Sequence, residues 1–365
     1  MLHVYRQITA LEAWRPVVFC QKRENAERFP LGDVKVLKKP RTHQLRRFWR
    51  KTVLGQPIMI YKSEARRLCG ELRRAEAKVV HIYFGHIGVH LLPFLELGDR
   101  PPAVVSFHGA DAQIDLDRPA FHEAMQRVFA LATRLLVRSE SLGERLIAHG
   151  APKEKIRVHR TGLPLGEIAF RQREAPADGE WRVLQACRLI PKKGLLTSLR
   201  AFAQFAARWP KAKFIVAGTG PMLEELKQTV ASIGLAEKVC FAGFVTQAEL
   251  RKWEAASHLF LHPSELGPDG DQEGVPNSML EAMASGLPVL ATRHGGIPEA
   301  AEHGVSALLV AERDADGLAR EMISLAEDRA RYAAMGGAAA RRVAAEFDLR
   351  VQTRKLEAIY AECAS

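Results

Sequence analysis

Two carboxylates lie eight positions apart in the segment of the chain with the most residues suited to binding or catalysis. Glu273 and Glu281 lie in HPSELGPDGDQEGVPNSMLEAMASGLPVLATRHGGIPEA, residues 262–300. The spacing predicts a helix that begins near 276–278, because proline suits a first helical position and Met-Leu-Glu-Ala-Met-Ala propagates well. The free amides and the positive dipole end of such a helix attract phosphate. Since carboxylates accept from hydroxyls, the segment predicts a site for a sugar joined to a diphosphate.

Two other interpretations of this segment stay open. Ser278 and Glu281 have the spacing of a capping box, in which Glu281 only binds a backbone amide, and spacing alone does not separate capping from ligand binding. Asp269 and Asp271 form a D-x-D pair that could hold a metal ion. A calcium loop needs further acidic positions and a glutamate at position twelve, which this stretch lacks. Metal binding is therefore the weaker interpretation, and no metal is expected.

Other residues that could take part in binding or catalysis follow predicted strands. His108 follows AVVSF, Arg188 follows RVLQAC, and Lys193 comes a few residues later in CRLIPKKG. Each residue also has an interpretation without a functional role. His108 could be a structural histidine, Arg188 could form a surface ion pair, and Lys193 could lie at a solvated helix start. Gly218 and Gly220 open GTGPML, which lacks the third glycine of a full dinucleotide fingerprint and is weak evidence by itself.

These residues must be positioned by an alternation of strands and helices. Short apolar or β-branched runs predict twelve strands, at 17–19, 34–37, 79–84, 103–107, 134–139, 156–159, 182–187, 213–218, 239–244, 258–263, 287–292 and 306–310. Amphipathic stretches of helical length lie between most of them, for example 118–133, 192–209, 220–233 and 276–285. Near-continuous apolar strands alternating with helices indicate parallel sheets covered on both faces.

The polar stretch 166–180 interrupts this rhythm and predicts a domain boundary. The sequence thus predicts an α/β protein with two Rossmann-like, doubly wound domains, 1–170 and 171–345, followed by a C-terminal helix over 346–365. Ligands of such domains bind beyond the carboxyl ends of strands, so the two binding edges are expected to face one cleft.

The positive charge is confined to the first half of the chain. Of the net charge of +11, residues 1–175 carry +13 and residues 176–365 carry −2. The densest part, 38–51, has seven Lys/Arg in fourteen residues around Phe48 and Trp49. Such a segment suits an anionic membrane surface or nucleic acid, and equally a plain solvated face. No RNP, zinc-finger or helix-turn-helix signature accompanies it, so nucleic acid is not expected.

Composition excludes several protein classes. No apolar run approaches the roughly 18 residues of a membrane span, and the N-terminus has no secretory h-region. The five scattered cysteines favour a reducing, cytoplasmic compartment over a disulfide framework.

The 262–300 segment resembles the E-x7-E region of family 4 retaining glycosyltransferases, which have the GT-B architecture. Its DGDQEG form is similar to bacterial enzymes of the exopolysaccharide and colanic-acid type. SFHGAD (106–111), CRLIPKKG (187–194), GTGP (218–221) and FAGFVTQAEL (241–250) stand in the family's order. Their co-occurrence over about 200 residues is far more specific than any single motif.

The resemblance implies a role for each matching residue. The implied catalytic residues are His108, Glu273, Arg188 and Lys193. Arg188 and Lys193 would neutralise the donor diphosphate, Glu273 would bind the donor sugar, and His108 would hydrogen-bond the sugar or phosphate. The implied donor-binding residues are Glu281, Gly274, Val275, Pro276, Asn277, Ser278, Gly218, Gly220, Phe244 and Val245. Those on the acceptor side are Gly85, His86 and Asp111.

The chain departs from the family at its beginning. Val4, Ile8 and Leu11 have helical spacing, so the strand that usually opens the first domain is expected to be missing. Another segment or chain could fill its place, and a catalytically reduced partner subunit remains an alternative. At the other end, the family commonly sends its last helix back to the first domain, and 346–365 could do this or close its own domain.

The resemblance implies a hexosyltransferase that retains anomeric configuration. It would use a UDP- or GDP-linked sugar without a metal or other cofactor, and a glycan or lipid-diphosphate-linked acceptor, in surface polysaccharide biosynthesis. An anionic membrane surface could be contacted through 38–51, on the inner face of the cytoplasmic membrane, and an oligomer is compatible with the sequence. A phosphorylase or an epimerase on the same architecture remains the rival enzyme class.

Overall fold

The computed structural model describes residues 2–109, 118–268 and 270–365. All twelve predicted strands are present, most a residue or two shorter than predicted. They are β1 Val18–Cys20, β2 Val34–Val36, β3 Val80–Tyr83, β4 Ala103–Phe107, β5 Arg134–Val137, β6 Ile156–Val158, β7 Arg182–Ala186, β8 Lys213–Ala217, β9 Val239–Gly243, β10 Leu259–His262, β11 Val289–Thr292 and β12 Leu308–Val310.

The α-helices cover the faces of the sheets, as the alternating pattern predicts. They are α1 Leu2–Thr9, α2 His43–Phe48, α3 Lys62–Arg74, α4 Gly85–His90, α5 Leu92–Leu95, α6 Pro119–Leu131, α7 Glu140–Ala148, α8 Leu195–Arg208, α9 Leu223–Ser232, α10 Gln247–Ala256, α11 Asn277–Ala284, α12 Ile297–Ala300, α13 Ala315–Glu327, α14 Arg329–Phe347 and α15 Leu349–Ala364. Among the described residues, no helix is both long and apolar enough to cross a membrane.

The chain divides into two compact units. The first comprises residues 1–162 and 349–365, and the second comprises residues 163–348. The division therefore falls before the polar stretch 166–180, because Leu163 already packs into the core of the second unit. The helical C-terminus is broken at Asp348, whose ψ of 135° is extended, so the predicted final helix begins at Leu349 and belongs to the first unit.

The first unit contains two parallel sheets. β1 pairs with β2, and a four-stranded sheet has the order β3-β4-β5-β6. The first element that the structure describes is helix α1. Within the described residues, no strand pairs with the second edge of β1 or of β3. Helix α15 covers β4 and β5 with Leu356, Ile359 and Tyr360, which pack on Val104 and Leu136.

The second unit is built on one six-stranded parallel sheet, in the order β12-β11-β10-β7-β8-β9. β7, β8, β10 and β11 are buried along nearly their whole length, because helices cover both faces. The chain runs outward in both directions from the β7–β10 pair. In a doubly wound sheet this switch point is where loops diverge and leave room for a ligand.

Candidate active site

The loops at the switch point of the second unit are joined by a buried ion pair. Lys193, in the short turn Pro191–Lys193 after β7, contacts the carboxylate of Glu273, in the loop after β10. Both side chains are largely buried. Burial opposes ionisation of Glu273, but the Lys193 ammonium overrides it and, together with His262 and Lys192, holds the pKa of that carboxyl well below its usual range. The structure thus unites two predicted site residues as a charged pair.

Lys192 fixes the same loop at a second point. Its Nζ lies 2.7 Å from Asp271 Oδ2 and 3.3 Å from the Gln272 carbonyl oxygen. The solvated interpretation of Lys192 and Lys193 is therefore wrong, because both are buried in ion pairs. Asp271 is engaged by an ammonium, and Asp269 of the D-x-D pair lies outside the described residues. Within those residues, no cluster of metal-ligand type is present.

Arg188 is an exposed cation at this edge. In the described part of the chain, its side chain has neither a hydrogen bond nor an ion pair, so the surface-ion-pair interpretation is wrong. The backbone on either side of it is held by the β8 loop, since Cys187 N donates to Ala217 O and Leu189 N to Thr219 O. The approach is so close that a Cβ on Gly218 or Gly220 would overlap a backbone carbonyl oxygen. These glycines therefore position the Arg188 loop.

The backbone of Glu273 is positioned by a segment after β11 that sequence reasoning did not assign. Glu273 N donates to His294 Nε2 at 3.1 Å, and His294 Nδ1 lies 2.7 Å from Glu312 Oε1. Gly295 lies against the Glu273 carbonyl oxygen with a φ of +55°. The Gly-Gly pair after a strand end in RHGG was the available signal for this contact.

His262, the last residue of β10, is fully buried, and its Nε2 lies 3.9 Å from Glu273 Oε2. Burial lowers the pKa of His262. The ring is therefore neutral beside the carboxylate, and sequence reasoning did not single it out.

Helix α11 begins at Asn277, as predicted, with Pro276 as its N-cap and no capping side chain. The capping-box interpretation is wrong, because Ser278 lies inside the helix. Glu281 is 4% exposed and lies 3.3 Å from Arg251 of α10. Arg251 also binds Glu254 at 2.6 Å. Burial raises the pKa of Glu254 to about 7, although Arg251 opposes the shift. Residues 274–278 thus leave an uncapped helix start beside a fixed carboxylate.

The remaining predicted donor residues follow β9. Gly218 N donates to the Gly243 carbonyl oxygen at 2.7 Å, which joins the β8 and β9 loops. Phe244 is 74% exposed, and Val245 is partly buried against the core. The exposed ring of Phe244 is thus available to a flat ligand next to the glycines.

In the first unit, His108 belongs to a buried cluster at the carboxyl ends of β4, β5 and β6. Arg138 Nε donates to His108 Nδ1 at 3.3 Å, and Arg138 Nη1 lies 3.2 Å from His159 Nδ1. With its Nδ1 accepting, His108 carries its proton on Nε2 and donates it to Ser106 Oγ at 3.0 Å. Burial and the Arg138 charge hold the pKa of His108 far below its usual value, so the ring is neutral.

Helix α1 adds His3 and Gln7 to this cluster. The His3 ring lies 5.2 Å from the His108 ring, and Gln7 accepts from Arg138 at 3.1 Å. His3, Arg138 and His159 were not predicted. The strand-end rule that identified His108 applies equally to Arg138 after β5 and His159 after β6.

The residues predicted to lie on the acceptor side differ in their surroundings. Gly85 is buried where α4 packs on β4, and a Cβ there would overlap the ring of Phe107, so close packing explains this glycine. His86 is exposed and stacks on Phe84 at 5.7 Å. Asp111 lies outside the described residues.

The histidine cluster predicts acid sensitivity of the first unit. Burial, aided by Arg138, lowers the pKa of His159 to about 3, whereas an unfolded histidine titrates near 6.5. The unfolded chain therefore binds a proton more readily than the folded protein does. The free energy of unfolding is highest above pH 6.5 and decreases as the pH falls toward 3. For a histidine shifted in this way, the decrease at pH 5 is about 2 kcal/mol. We expect urea midpoints to fall steeply from pH 7 to pH 5 in the wild type and less steeply in His159→Gln.

The matched control is His122→Gln, which changes a histidine on α6 away from the cluster. Its pH slope should equal that of the wild type. Equal slopes in His159→Gln and wild type would contradict a neutral, buried His159.

Two parallel α/β units, the second with a cation-and-carboxylate site at its switch point, define a two-domain protein of the GT-B fold. Residues 2–162 match the glycosyl transferase 4-like domain, and residues 167–342 match the family glycosyl transferases group 1. The chain belongs to this glycosyltransferase family.

Individual relatives agree with this assignment. The chain is 33% identical over 284 residues to the amylovoran biosynthesis glycosyltransferase AmsK of Erwinia amylovora. The aligned region covers 78% of this chain and 70% of AmsK. It is 31% identical over 341 residues to WcaL of Escherichia coli, a glycosyltransferase assigned to colanic acid biosynthesis. This alignment covers 90% of this chain and 83% of WcaL. The crystal structure of HepE from Anabaena in complex with UDP is similar in fold, with a TM-score of 0.78 and 20% identity over 99% of this chain and 95% of that one.

Proposed function

We propose that this protein transfers a hexose from a nucleotide-diphosphate sugar to a glycan or lipid-linked acceptor, with retention of anomeric configuration, in surface polysaccharide biosynthesis. The observation that carries the proposal is the buried Lys193–Glu273 pair at the switch point of the second sheet, beside the exposed Arg188. AmsK and WcaL, by their names, serve the biosynthesis of such polymers.

The donor site is assigned from the charges of the second unit. Arg188 and Lys193 bind the diphosphate, whose charge grows as the sugar leaves. The amides of residues 274–278, at the start of α11, bind a phosphate oxygen. Glu281, held by Arg251, accepts from the ribose, and Glu273 accepts from hydroxyls of the sugar.

Retention follows from reaction on one face of the sugar. The bond from the anomeric carbon to the diphosphate oxygen breaks, and the bond to the acceptor oxygen forms on the same face. The acceptor proton moves to the departing phosphate oxygen, so no protein base is required. Glu273 is a poor base, because its pKa is held low. When the donor binds, the neutral His108 turns its single N–H, on Nε2, from Ser106 Oγ to the sugar or phosphate.

The proposed reaction needs no metal ion. Two cations, Arg188 and Lys193, supply the positive charge that a metal would otherwise bring to a diphosphate, and Asp271 is engaged by Lys192. Turnover should therefore be the same in excess EDTA and in magnesium chloride. A requirement for the divalent ion would overturn this part of the proposal.

The deciding experiment is a thermal-shift panel with UDP, GDP, ADP and TDP. A nucleotide at about 100 times its dissociation constant adds roughly 2.7 kcal/mol of stability, which raises the unfolding midpoint measurably. We expect one nucleotide, UDP or GDP, to give the largest shift, and this shift to be lost in Glu281→Ala and reduced in Glu281→Gln. Glu225→Ala, an exposed carboxylate on α9, is the control and should keep the full shift.

Other outcomes separate the rival functions. No shift with any nucleotide would overturn the donor site. A shift without turnover on any glycan or lipid-linked acceptor would favour a catalytically reduced partner subunit. Consumption of free phosphate would indicate a phosphorylase, and conversion of the sugar nucleotide without an acceptor would indicate an epimerase.

A further inference from the structure

The first unit contains a long stretch without any negative charge. Between Asp33 and Glu64 the chain has nine Lys/Arg and no Asp or Glu. An ordinary solvated surface mixes both signs, so this stretch creates a local positive field that extends over about a Debye length. Charge alone does not identify a partner, and the apolar residues of the same stretch supply the second observation.

Large apolar side chains are exposed among these cations. Helix α2 continues directly into a π-helical turn, Trp49–Val53. Leu45 is 72% exposed, Phe48 60% and Trp49 58%, and Val53 and Leu54 are about half exposed. Positions 45, 48 and 49 have the i, i+3, i+4 spacing of one α-helical face, and Val53 follows in the π-helical turn. Contiguous exposed apolar residues of this kind mark an interaction surface.

The opposite side of the helix is fastened to the unit. Arg46 is 5% exposed, is paired with Glu64 at the start of α3, and lies with its guanidinium 4.4 Å over the Tyr61 ring. Arg50 Nη1 approaches the Pro57 carbonyl oxygen at 3.5 Å. The apolar side chains are therefore exposed on an anchored element, while Arg47 and Lys51 remain exposed beside them.

We propose that the 38–54 surface docks on an anionic lipid bilayer. A short amphipathic helix with Trp, Phe and Leu on one side and Lys/Arg around them is suited to the boundary between headgroups and acyl chains. The cations attract anionic headgroups, while the apolar side chains enter the interface. A second copy of the same surface would be repelled by its like charge. Nucleic acid would leave Leu45, Val53 and Leu54 without a partner.

The test is vesicle binding by the full chain without any sugar donor. Sedimentation with vesicles of phosphatidylcholine and 30% phosphatidylglycerol, at about 50 mM salt, should pellet most of the protein, and pure phosphatidylcholine should pellet little. Phe48→Ser/Trp49→Ser and Arg47→Ala/Lys51→Ala should each reduce the bound fraction about fivefold or more. The blue shift of tryptophan emission on vesicle addition should disappear with Trp49.

The control is Arg354→Ala/Lys355→Ala, which removes two exposed cations from α15 of the same unit. It should bind vesicles like the wild type. Unchanged binding in the 47/51 and 48/49 variants, equal binding to both vesicle types, or retention by RNA with none by vesicles would overturn the proposal. Each variant should keep the nucleotide-induced thermal shift, so the result does not depend on the proposed transfer reaction.

Discussion

Replacing Arg188 by alanine is expected to lower kcat for sugar transfer by about 10²–10³, with little change in the unfolding midpoint. The guanidinium is exposed and, in the described part of the chain, has no side-chain partner to lose. Its proposed task arises only when negative charge accumulates on the departing diphosphate. The loss should therefore fall on kcat more than on the affinity for the donor, measured by steady-state kinetics and by nucleotide-induced thermal shifts.

The control for this variant is Arg182→Ala. Arg182 is an exposed arginine at the opposite end of the same strand, β7, so it tests the loss of a cation without the loss of the site. It should leave kcat within a factor of two or so of the wild type. Comparable losses in both variants, or full activity in Arg188→Ala, would refute the assignment of Arg188 to the diphosphate.

A Gly295→Ala substitution is expected to cost several kcal/mol of folding stability and most of the activity. The added Cβ would overlap the carbonyl oxygen of Glu273, and the φ of +55° strains any residue with a side chain. Because the overlap is with backbone, relief requires movement of the Glu273 loop itself. We expect a lower urea midpoint together with a loss of kcat larger than the surviving folded fraction accounts for.

Gly234→Ala separates these two effects. Gly234 has a similar φ of +70°, but its Cβ would point into open space. It should show only the conformational cost, about 1 kcal/mol, with normal kcat. If Gly295→Ala behaves like Gly234→Ala, then contact with Glu273 is not what the glycine provides.

The central strands were predictable because their residues are buried on both faces, which leaves a near-continuous apolar run in the sequence. At 103–107 the run AVVSF and the strand coincide completely, and the run 287–292 begins two residues before its strand, β11. The short helix α2 and its π-helical turn were not predicted. Their apolar residues face outward, so no buried stripe marks them in the sequence.

The candidate site was predictable where chemistry is local. Arg188, Lys193 and His108 follow strands, and the rule for parallel sheets places strand ends together. The sequence did not predict which residues, far apart in the chain, form ion pairs with each other. Lys193 and Glu273 are 80 residues apart, and neither residue's neighbours specify the other. His294 contacts Glu273 and Arg251 contacts Glu281, and neither contact could be predicted without the folded structure.

The unit boundary was missed for a related reason. A polar stretch indicates a linker from composition, whereas the boundary in the molecule is set by which core each residue enters. Leu163, three residues before that stretch, pairs with the end of α14, its amide donating to Phe347 O at 2.7 Å.

That contact has a consequence for the order in which the protein is made. The second unit leaves the ribosome as one uninterrupted length, with its first and last residues already adjacent. The first unit, although most of it precedes the second unit in the chain, cannot be completed until α15, which follows the second unit, has been synthesised. Until then, Val104 and Leu136 lack the cover of Leu356 and Ile359. The usual sequence, in which the N-terminal domain is finished first, is reversed here. The nascent chain therefore carries a sheet face that lacks the cover of α15 throughout the synthesis of its second unit.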